Sequence, residues 1–212
     1  MAGRSNAKVE TSDKYRQRQM DVFQSAARTF NKLGFHNATL DDVAEELGVT
    51  KPALYYYANS KDELLFACGQ MALEALDAAL DGSGQPELNG LDRLCRFFRL
   101  YGEIICEDFG RCLVLTEARD LAPKTRKGNV AGRRALNIAV REIIAGGVAD
   151  GSIRPCDARA VGIALFDAFN GLARWFNPKG PTALSAVVDQ YLALFVNGLA
   201  ADRRVGDELL PS

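Results

Sequence analysis

The residues best suited to a chemical task lie in one short segment, residues 39–61, which reads TLDDVAEELGVTKPALYYYANSK. It contains hydroxyl side chains, three consecutive tyrosines and two lysines, and no acid occurs between Val49 and Lys61. A lysine can donate to guanine O6 or N7, a small side chain can approach a thymine methyl, and tyrosine hydroxyls can reach phosphates. We therefore predict contacts with double-stranded DNA. The candidate DNA-binding residues are Thr39, Thr50, Lys51, Pro52, Ala53, Tyr55, Tyr56, Tyr57 and Lys61.

Two short helices must position these residues, and the first starts at Thr39. The Thr39 hydroxyl can cap it, and Asp41 and Asp42 fall in its first turn, where the helix dipole favours carboxylates. Gly48 supplies a C-terminal stop. The buried stripe consists of Val43, Ala44 and Leu47. We expect this stripe to brace the helix that follows.

The second helix starts after the two-residue step Gly48-Val49. Thr50 can cap it, and Pro52 sits in its first turn, where a missing N–H costs little. We expect it to end near Ala58-Asn59, with Leu54 as its inward anchor. Two amphipathic helices joined by a glycine-containing turn are typical of a helix-turn-helix, whose second helix enters a major groove.

The three tyrosines at 55–57 also allow a purely structural interpretation, in which they only pack the small helices together. Successive helical positions are about 100° apart, so at least one tyrosine must face solvent or a partner. Ser60 and Glu63 have the spacing of a capping box at the start of the next helix. Lys61 beside it suits a backbone phosphate, and the helix N-termini at Thr39 and Ser60 offer N–H groups to phosphate oxygens.

Overall charge does not favour a nucleic-acid partner, because 26 basic residues face 27 acidic ones and the formal charge is −1. The distribution of charge decides otherwise. Up to residue 33, the acidic residues are Glu10, Asp13 and Asp21. The basic residues of the same stretch are Arg4, Lys8, Lys14, Arg16, Arg18, Arg28 and Lys32. A local excess of this kind supplies the electrostatic part of DNA affinity.

Catalytic, metal and cofactor chemistry lack their usual residues. The sequence has no GxSxG motif and no Walker-type glycine loop, and His36 is the only histidine. We predict no enzyme activity, no metal and no cofactor. The five cysteines are scattered in apolar stretches, which is typical of reduced, packed thiols. A redox switch at Cys106 and Cys112 stays open as an alternative.

Helical periodicity along the chain predicts an all-α fold. We expect a flexible basic arm over residues 1–12, a helix-turn-helix DNA-binding domain over 13–60, a larger helical ligand-binding and dimerisation domain over 61–200, and a tail over 201–212. After the long helix that begins near Ser60, further helices are expected at about 88–106, 113–121, 123–149, 157–176 and 182–199. No apolar stretch is long enough to span a membrane, so we expect a cytoplasmic protein that associates with the nucleoid when bound to DNA.

Residues 15–65 resemble the N-terminal region of the TetR family of bacterial transcriptional regulators. The markers are Gly34-Phe35, TLDDVAEELGV at 39–49, and the pattern from Leu54 to Lys61. The resemblance implies an all-α homodimer of nine or ten helices. Its first three helices would bind operator DNA, and the remainder would bind a small ligand that releases the operator.

The C-terminal half offers candidates for the ligand and the dimer partner, with ordinary core packing as the alternative for each residue. A pocket needs apolar walls and a few polar groups. Pocket candidates are Phe98, Tyr101, Phe166, Phe169, Arg174 and Trp175. The motif ARWFNPKGP is similar to family members that respond to acyl-coenzyme A or related lipids. The last two helices resemble those that form a four-helix bundle with the partner copy. Interface candidates are Ala164, Ala168, Leu172, Val188, Tyr191, Leu192 and Phe195.

The sequence thus predicts a ligand-responsive repressor that binds operator DNA as a homodimer and takes a small-molecule effector, with no membrane partner. Two alternatives stay open. One is a TetR-shaped co-regulator that acts through a protein partner, which would lack the basic and hydroxyl residues present at Lys51, Tyr55 and Lys61. The other is a transcriptional activator, since the sign of regulation depends on where the operator lies.

Overall fold

The computed structural model describes residues 3–84, 87–117, 119 and 121–199, with side chains described over the same ranges except at 3–12, 124 and 199. This part of the chain consists of helices and connecting turns, which confirms the all-α prediction. The helices are α1 (Gly3–Leu33), α2 (Leu40–Leu47), α3 (Lys51–Leu54), α4 (Lys61–Ser83), α5 (Gly90–Cys106), α6 (Asp108–Leu115), α7 (Pro123–Asp150), α8 (Ala158–Trp175) and α9 (Leu184–Leu199). None of these described helices is long and apolar enough to cross a bilayer. The predicted tail at 201–212 lies outside the described residues.

Two helix boundaries differ clearly from the sequence predictions. Helix α1 begins at Gly3, where a flexible arm was expected over residues 1–12; no glycine or proline interrupts the sequence from residue 4 to residue 33. Helix α6 spans Asp108–Leu115, whereas residues 113–121 were expected to be helical. Helix α6 begins directly after the C-cap of α5 at Glu107, and Asp108 Oδ2 accepts from Arg28 Nε of α1 at 2.9 Å.

The described residues form two compact units. The N-terminal unit comprises the described residues within 3–72 and 108–129, and the C-terminal unit comprises those within 73–107 and 130–199. This division differs from the predicted boundary between residues 60 and 61, because α6 and the start of α7 belong with the helix-turn-helix. Cys112 of α6 and Leu121 of the connection before α7 join the same apolar core as α1 to α3.

The core of the N-terminal unit holds the helix-turn-helix in place. Its buried members recur at helical spacing on α1 and continue through α2, the α3 region and α4. They include Val22, Ala26, Ala27, Phe30, Val43, Ala44, Leu54, Ala58, Leu64 and Leu65. Gly34, with a φ of 77°, ends α1 by donating its N–H to the Phe30 carbonyl at 2.9 Å. Only a residue that tolerates the left-handed region can turn the chain so sharply toward α2.

An aromatic cluster fills the C-terminal unit. Phe97, Phe98 and Tyr101 of α5 meet Phe166 and Phe169 of α8, with ring centroids 4.9 to 6.5 Å apart. The Tyr101 hydroxyl donates to Asn170 Oδ1 at 2.6 Å. Burial raises the pKa of Tyr101, so the phenol stays neutral inside the core.

Candidate nucleic-acid interface

Helix α2 is fixed at both ends. Thr39 and Asp42 form a reciprocal cap: the Asp42 N–H donates to the Thr39 hydroxyl at 3.2 Å, and the Thr39 N–H donates to Asp42 Oδ2 at 2.7 Å. Hydrogen bonds from Thr39, the hydroxyl first, hold the pKa of Asp42 below its ordinary value. At the other end Gly48 has a φ of 72°, and its N–H donates to the carbonyls of Ala44 and Glu45. The predicted N-cap at Thr39 and stop at Gly48 are confirmed.

Helix α3 is shorter than predicted. It ends at Leu54, and residues 55–57 form a turn in which the N–H groups of Tyr57 and Ala58 both donate to the Leu54 carbonyl, at 2.8 and 3.1 Å. Thr50 occupies the predicted N-cap position, but its side chain makes no capping hydrogen bond. Leu54 is only 1% exposed and is the inward anchor, as predicted.

The three tyrosines have different surroundings. Tyr56 is 82% exposed and Tyr55 48% exposed, whereas Tyr57 stacks on Tyr15 of α1 with ring centroids 5.4 Å apart. The expectation that at least one tyrosine faces outward is confirmed. Tyr55 and Tyr56 are therefore the two tyrosines whose side chains are largely accessible.

Lys51, the basic residue of α3, already has a partner. Its Nζ lies 2.8 Å from Asp41 Oδ2 at the start of α2, and the hydrogen bond to Asp41 raises the pKa of Lys51. Both side chains are solvent-exposed, and water screens the attraction within exposed pairs of this kind, which contribute little to stability. The pair therefore orients Lys51 without preventing it from changing partners.

Lys61 has an internal role that its predicted phosphate contact did not anticipate. Its ammonium donates to the backbone carbonyls of Phe35, His36 and Ala38 at 2.9, 3.2 and 3.2 Å and lies 4.6 Å from the centre of the Phe35 ring. An ammonium has three N–H groups, and three carbonyls receive them here. Lys61 thus joins the start of α4 to the loop between α1 and α2.

The start of α4 is capped in a slightly different way from the predicted box. The Ser60 hydroxyl accepts from the Glu63 N–H at 3.2 Å, as expected. The Glu63 carboxylate, however, accepts from the Asn59 N–H at 2.7 Å and not from that of Ser60. The carboxylate reaches one residue further back, which closes the loop that follows residues 55–57.

The nine predicted DNA-binding residues therefore divide into two groups. One group lies at the N-cap of α3, on α3 and in the following turn, with at least part of each side chain accessible. This group consists of Thr50, Lys51, Pro52, Ala53, Tyr55 and Tyr56. The others, Thr39, Tyr57 and Lys61, have partners inside the N-terminal unit. Sequence reasoning missed Asp41 and Tyr15, because pairs ten and forty-two residues apart leave no local signal.

The six predicted pocket residues fall into a buried group and an exposed group. Four of them, Phe98, Tyr101, Phe166 and Phe169, belong to the aromatic cluster of the C-terminal unit and are buried. Arg174 and Trp175 are exposed at the end of α8. Trp175 borders a groove of about 420 Å³ formed with the loop after α8 and one face of α9. The groove is lined by Trp175, Phe176, Asn177, Gly180, Pro181, Thr182, Val187, Gln190 and Tyr191.

Three of the predicted dimer residues face the interior of their own protomer. Leu172, Val188 and Leu192 are buried, and a Cβ added at Gly102 of α5 would lie 2.7 Å from Val188 Cγ2. The bulkiest exposed apolar side chains on α8 and α9 are instead Trp175, Ile163 and Leu194, the last 72% exposed. Apolar residues occur on both faces of α8 and α9, so the apolar pattern of the sequence does not distinguish the buried face from the exposed face.

The thiols do not favour redox chemistry. Cys112 is buried in the N-terminal unit, where its hydrogen bond with Cys68, together with burial, raises the pKa of Cys68. The Cys68 Sγ also donates to the Phe23 carbonyl at 3.3 Å. A buried, protonated thiol is a poor nucleophile. Cys106 lies in the C-terminal unit.

The Lys61 contacts lead to a testable prediction. Lys61→Met removes the ammonium and leaves three carbonyls without it, so we expect the N-terminal unit to lose about 1 to 3 kcal/mol of unfolding free energy. Thermal and urea unfolding measure this loss. Lys127→Met, at an exposed lysine of α7, is the control and should unfold like the wild type. Unchanged stability of Lys61→Met together with weakened DNA binding would assign Lys61 to the phosphate backbone instead.

Comparisons with known proteins agree with this architecture. Residues 22–68 match the family described as "Bacterial regulatory proteins, tetR family", and residues 87–199 match "Tetracyclin repressor-like, C-terminal domain". The chain is 26% identical over 188 residues to the HTH-type transcriptional repressor KstR2 of Mycobacterium tuberculosis, covering 87% of this chain and 94% of that protein.

Two solved structures illustrate the shared fold. The TetR family regulator PfmR from Thermus thermophilus is 29% identical, with a TM-score of 0.75 and coverage of 82% of this chain and 96% of PfmR. AibR, solved with isovaleryl coenzyme A and operator DNA, is 20% identical with a TM-score of 0.75, covering 87% of this chain and 98% of AibR. The C-terminal match alone spans more than half of the chain, and the N-terminal match contains the helix-turn-helix. The protein therefore belongs to the TetR family, whose members are transcriptional regulators and not enzymes.

Proposed function

We propose that this TetR-family regulator is a repressor that binds a two-fold symmetric operator as a homodimer and releases it when a small molecule binds. The observation that most supports operator recognition is the accessible group at residues 50–56, carried on a scaffold whose own side chains are buried. A four-residue helix is not stable in water on its own, so the conformation of these residues depends on the core against which they pack.

Each accessible residue has a chemical part in this proposal. Lys51 donates to a guanine edge in the major groove, and Pro52 and Ala53 allow the backbone to approach the bases. Tyr55 and Tyr56 place hydroxyls against phosphates, which fix the register on the duplex. Thr50, whose hydroxyl makes no capping bond, can donate to a phosphate or a base.

Asp41 orients Lys51 before DNA arrives. On binding, the ammonium exchanges the Asp41 carboxylate for a base edge or phosphate, at a cost limited by the weakness of an exposed pair. We infer that Asp41 thereby discourages binding to DNA in general, because a non-specific contact must also displace it. Glu45 and Glu46, on the same helix, are exposed carboxylates that provide a comparison.

For the dimer, we propose the outer faces of α8 and α9, where Ile163 and Leu194 are exposed. Isolated exposed aliphatic residues are common, but two on adjacent terminal helices supply apolar area for a symmetric contact. A dimer of this kind would present two recognition segments, and half-sites about one helical turn (~34 to 36 Å) apart would match them.

For the effector, we propose an acyl-coenzyme A thioester, bound at the groove beside Trp175. An accessible indole can stack on an adenine ring, and Arg174 and Lys179, exposed cations that neighbour the lining residues in sequence, suit phosphates. AibR was solved with isovaleryl coenzyme A, and the relative KstR2 is described as a ketosteroid transcriptional regulator. Both names support an effector with a substantial apolar part.

Operator recognition is tested by incubating the full-length protein with fragmented genomic DNA and sequencing the bound fragments. We expect enrichment of a short palindrome. Lys51→Ala should lower affinity for that palindrome by roughly tenfold to a hundredfold and relax the preference for one base pair in each half-site, because its contact is with a base.

Asp41→Asn and Glu45→Gln remove the same charge from α2 and serve as a matched pair. Asp41→Asn should raise affinity for unrelated DNA more than Glu45→Gln does, since Asp41 holds Lys51. Failure of the wild type to enrich any sequence would contradict the repressor proposal and favour a co-regulator. Enrichment with unchanged base preference in Lys51→Ala would remove Lys51 from base readout.

Effector release is tested with a fluorescent operator duplex and a series of acyl-coenzyme A thioesters of increasing chain length, with coenzyme A and the free acids as controls. Trp175 is the single tryptophan, so its fluorescence reports binding at the groove directly. We expect thioesters to quench Trp175 and dissociate the operator. Trp175→Ala should need about tenfold more thioester, with unchanged operator affinity in its absence, because it loses an aromatic stacking surface. An equal response of wild type and Trp175→Ala would place the effector elsewhere.

A further inference from the structure

Helix α1 is much longer than its core contacts require. It runs from Gly3 to Leu33, yet among its described side chains the first fully buried one is Val22. Residues 13–20 are exposed or half-buried. With a rise of about 1.5 Å per residue, these eight residues extend the helix about 12 Å beyond the core. A stretch of helix without buried contacts gains little stability from packing.

One contact ties this stretch to the recognition residues. The Tyr15 ring stacks on Tyr57, with centroids 5.4 Å apart and planes 26° apart. Tyr57 directly follows the accessible residues Tyr55 and Tyr56 in the same turn. The stack therefore fixes residues 13–20 of α1 beside the part of the protein that meets the duplex.

The stretch carries a net positive charge in a protein that is slightly acidic overall. Residues 13–20 contain Lys14, Arg16 and Arg18 and one acid, Asp13. All three cations are exposed. Arg18 is 3.9 Å from Asp21, which is a long and exposed pair of little strength. Arg18 is about 60° around the helix from Tyr15 and so lies towards the side on which Tyr57 packs, while Lys14 and Arg16 lie about 100° to either side of Tyr15.

We propose that residues 13–20 of α1, the α1 extension, are a second DNA-binding surface that contacts the phosphate backbone beside the bases read by α3. The inference rests on the proposed operator binding and adds a surface to it. The family match begins at residue 22, so the extension lies outside the matched region. Its three cations are exposed and spread over more than one turn of helix. Such an arrangement favours contact with phosphates, which is independent of DNA sequence.

The triple variant Lys14→Gln, Arg16→Gln and Arg18→Gln tests this surface in the full-length protein. Binding is measured by fluorescence anisotropy between low and moderate salt, on a duplex that extends a full turn beyond the selected operator and on a scrambled duplex of equal length. Each lost phosphate contact lowers the slope of log affinity against log salt by about 0.9. We expect a slope smaller by about 2 or more for the dimer, with affinity for both duplexes falling by a similar factor of about ten.

A control triple removes three exposed arginines from the C-terminal unit, Arg134→Gln, Arg154→Gln and Arg159→Gln. It changes net charge equally and should keep the wild-type slope. A second variant, Lys14→Arg with Arg16→Lys and Arg18→Lys, keeps the charges and should also bind like the wild type. Circular dichroism establishes that all variants are folded, and Tyr15→Ala, which removes the stack but no charge, should weaken binding to both duplexes.

Ethylation interference locates the contacts on the DNA. In the wild type, ethylated phosphates flanking the recognised bases should block binding, and in the α1 triple variant the same phosphates should become neutral. A wild-type slope in the triple variant, or an equal loss in the control triple, would overturn the proposal. If the wild type fails to prefer the operator, operator recognition is wrong, and the salt slope on the scrambled duplex still decides whether the α1 extension binds phosphates.

Discussion

The proposed recognition residues at 50–56 depend on the packing beneath them, because α3 is only four residues long and is not stable without tertiary contacts. Leu54 is the point at which this packing acts: it is buried in the N-terminal core, and its carbonyl accepts the N–H groups of Tyr57 and Ala58. Residues 50–56 are thereby held in place by the buried Leu54 side chain and by the two hydrogen bonds to the Leu54 carbonyl. The core therefore fixes the backbone from which their outward side chains project.

The two lysines of residues 39–61, Lys51 and Lys61, have different kinds of partner. Lys61 gives its ammonium to three backbone carbonyls and stabilises the loop between α1 and α2. Lys51 is paired with one exposed carboxylate, that of Asp41, and we propose that it exchanges this partner for DNA. The difference comes from local geometry, since backbone carbonyls converge on Lys61, whereas a single side chain meets Lys51. Of these two lysines, Lys51 is therefore the one available for the proposed contact with DNA.

Much of the N-terminal unit could be predicted from local sequence. The cap at Thr39, the left-handed stop at Gly48 and the buried Leu54 follow from residue type and spacing. The end of α3 could not, because Tyr55 to Tyr57 have adequate helix propensity and the turn is set by tertiary packing, including the Tyr15 stack. On α8 and α9 apolar residues occur on both faces, so the sequence did not distinguish buried Leu192 from exposed Leu194.

The most direct measurement of the central claim is amide hydrogen exchange of the full-length protein with and without a duplex carrying the selected operator. We expect slowed exchange in peptides covering residues 39–42 and 50–57, where the duplex covers helix N-termini and the recognition turn. Peptides from the buried faces of α5 and α8 should exchange at the same rate in both states. Unchanged exchange at residues 50–57, with protection confined to the C-terminal unit, would contradict recognition of DNA by this segment.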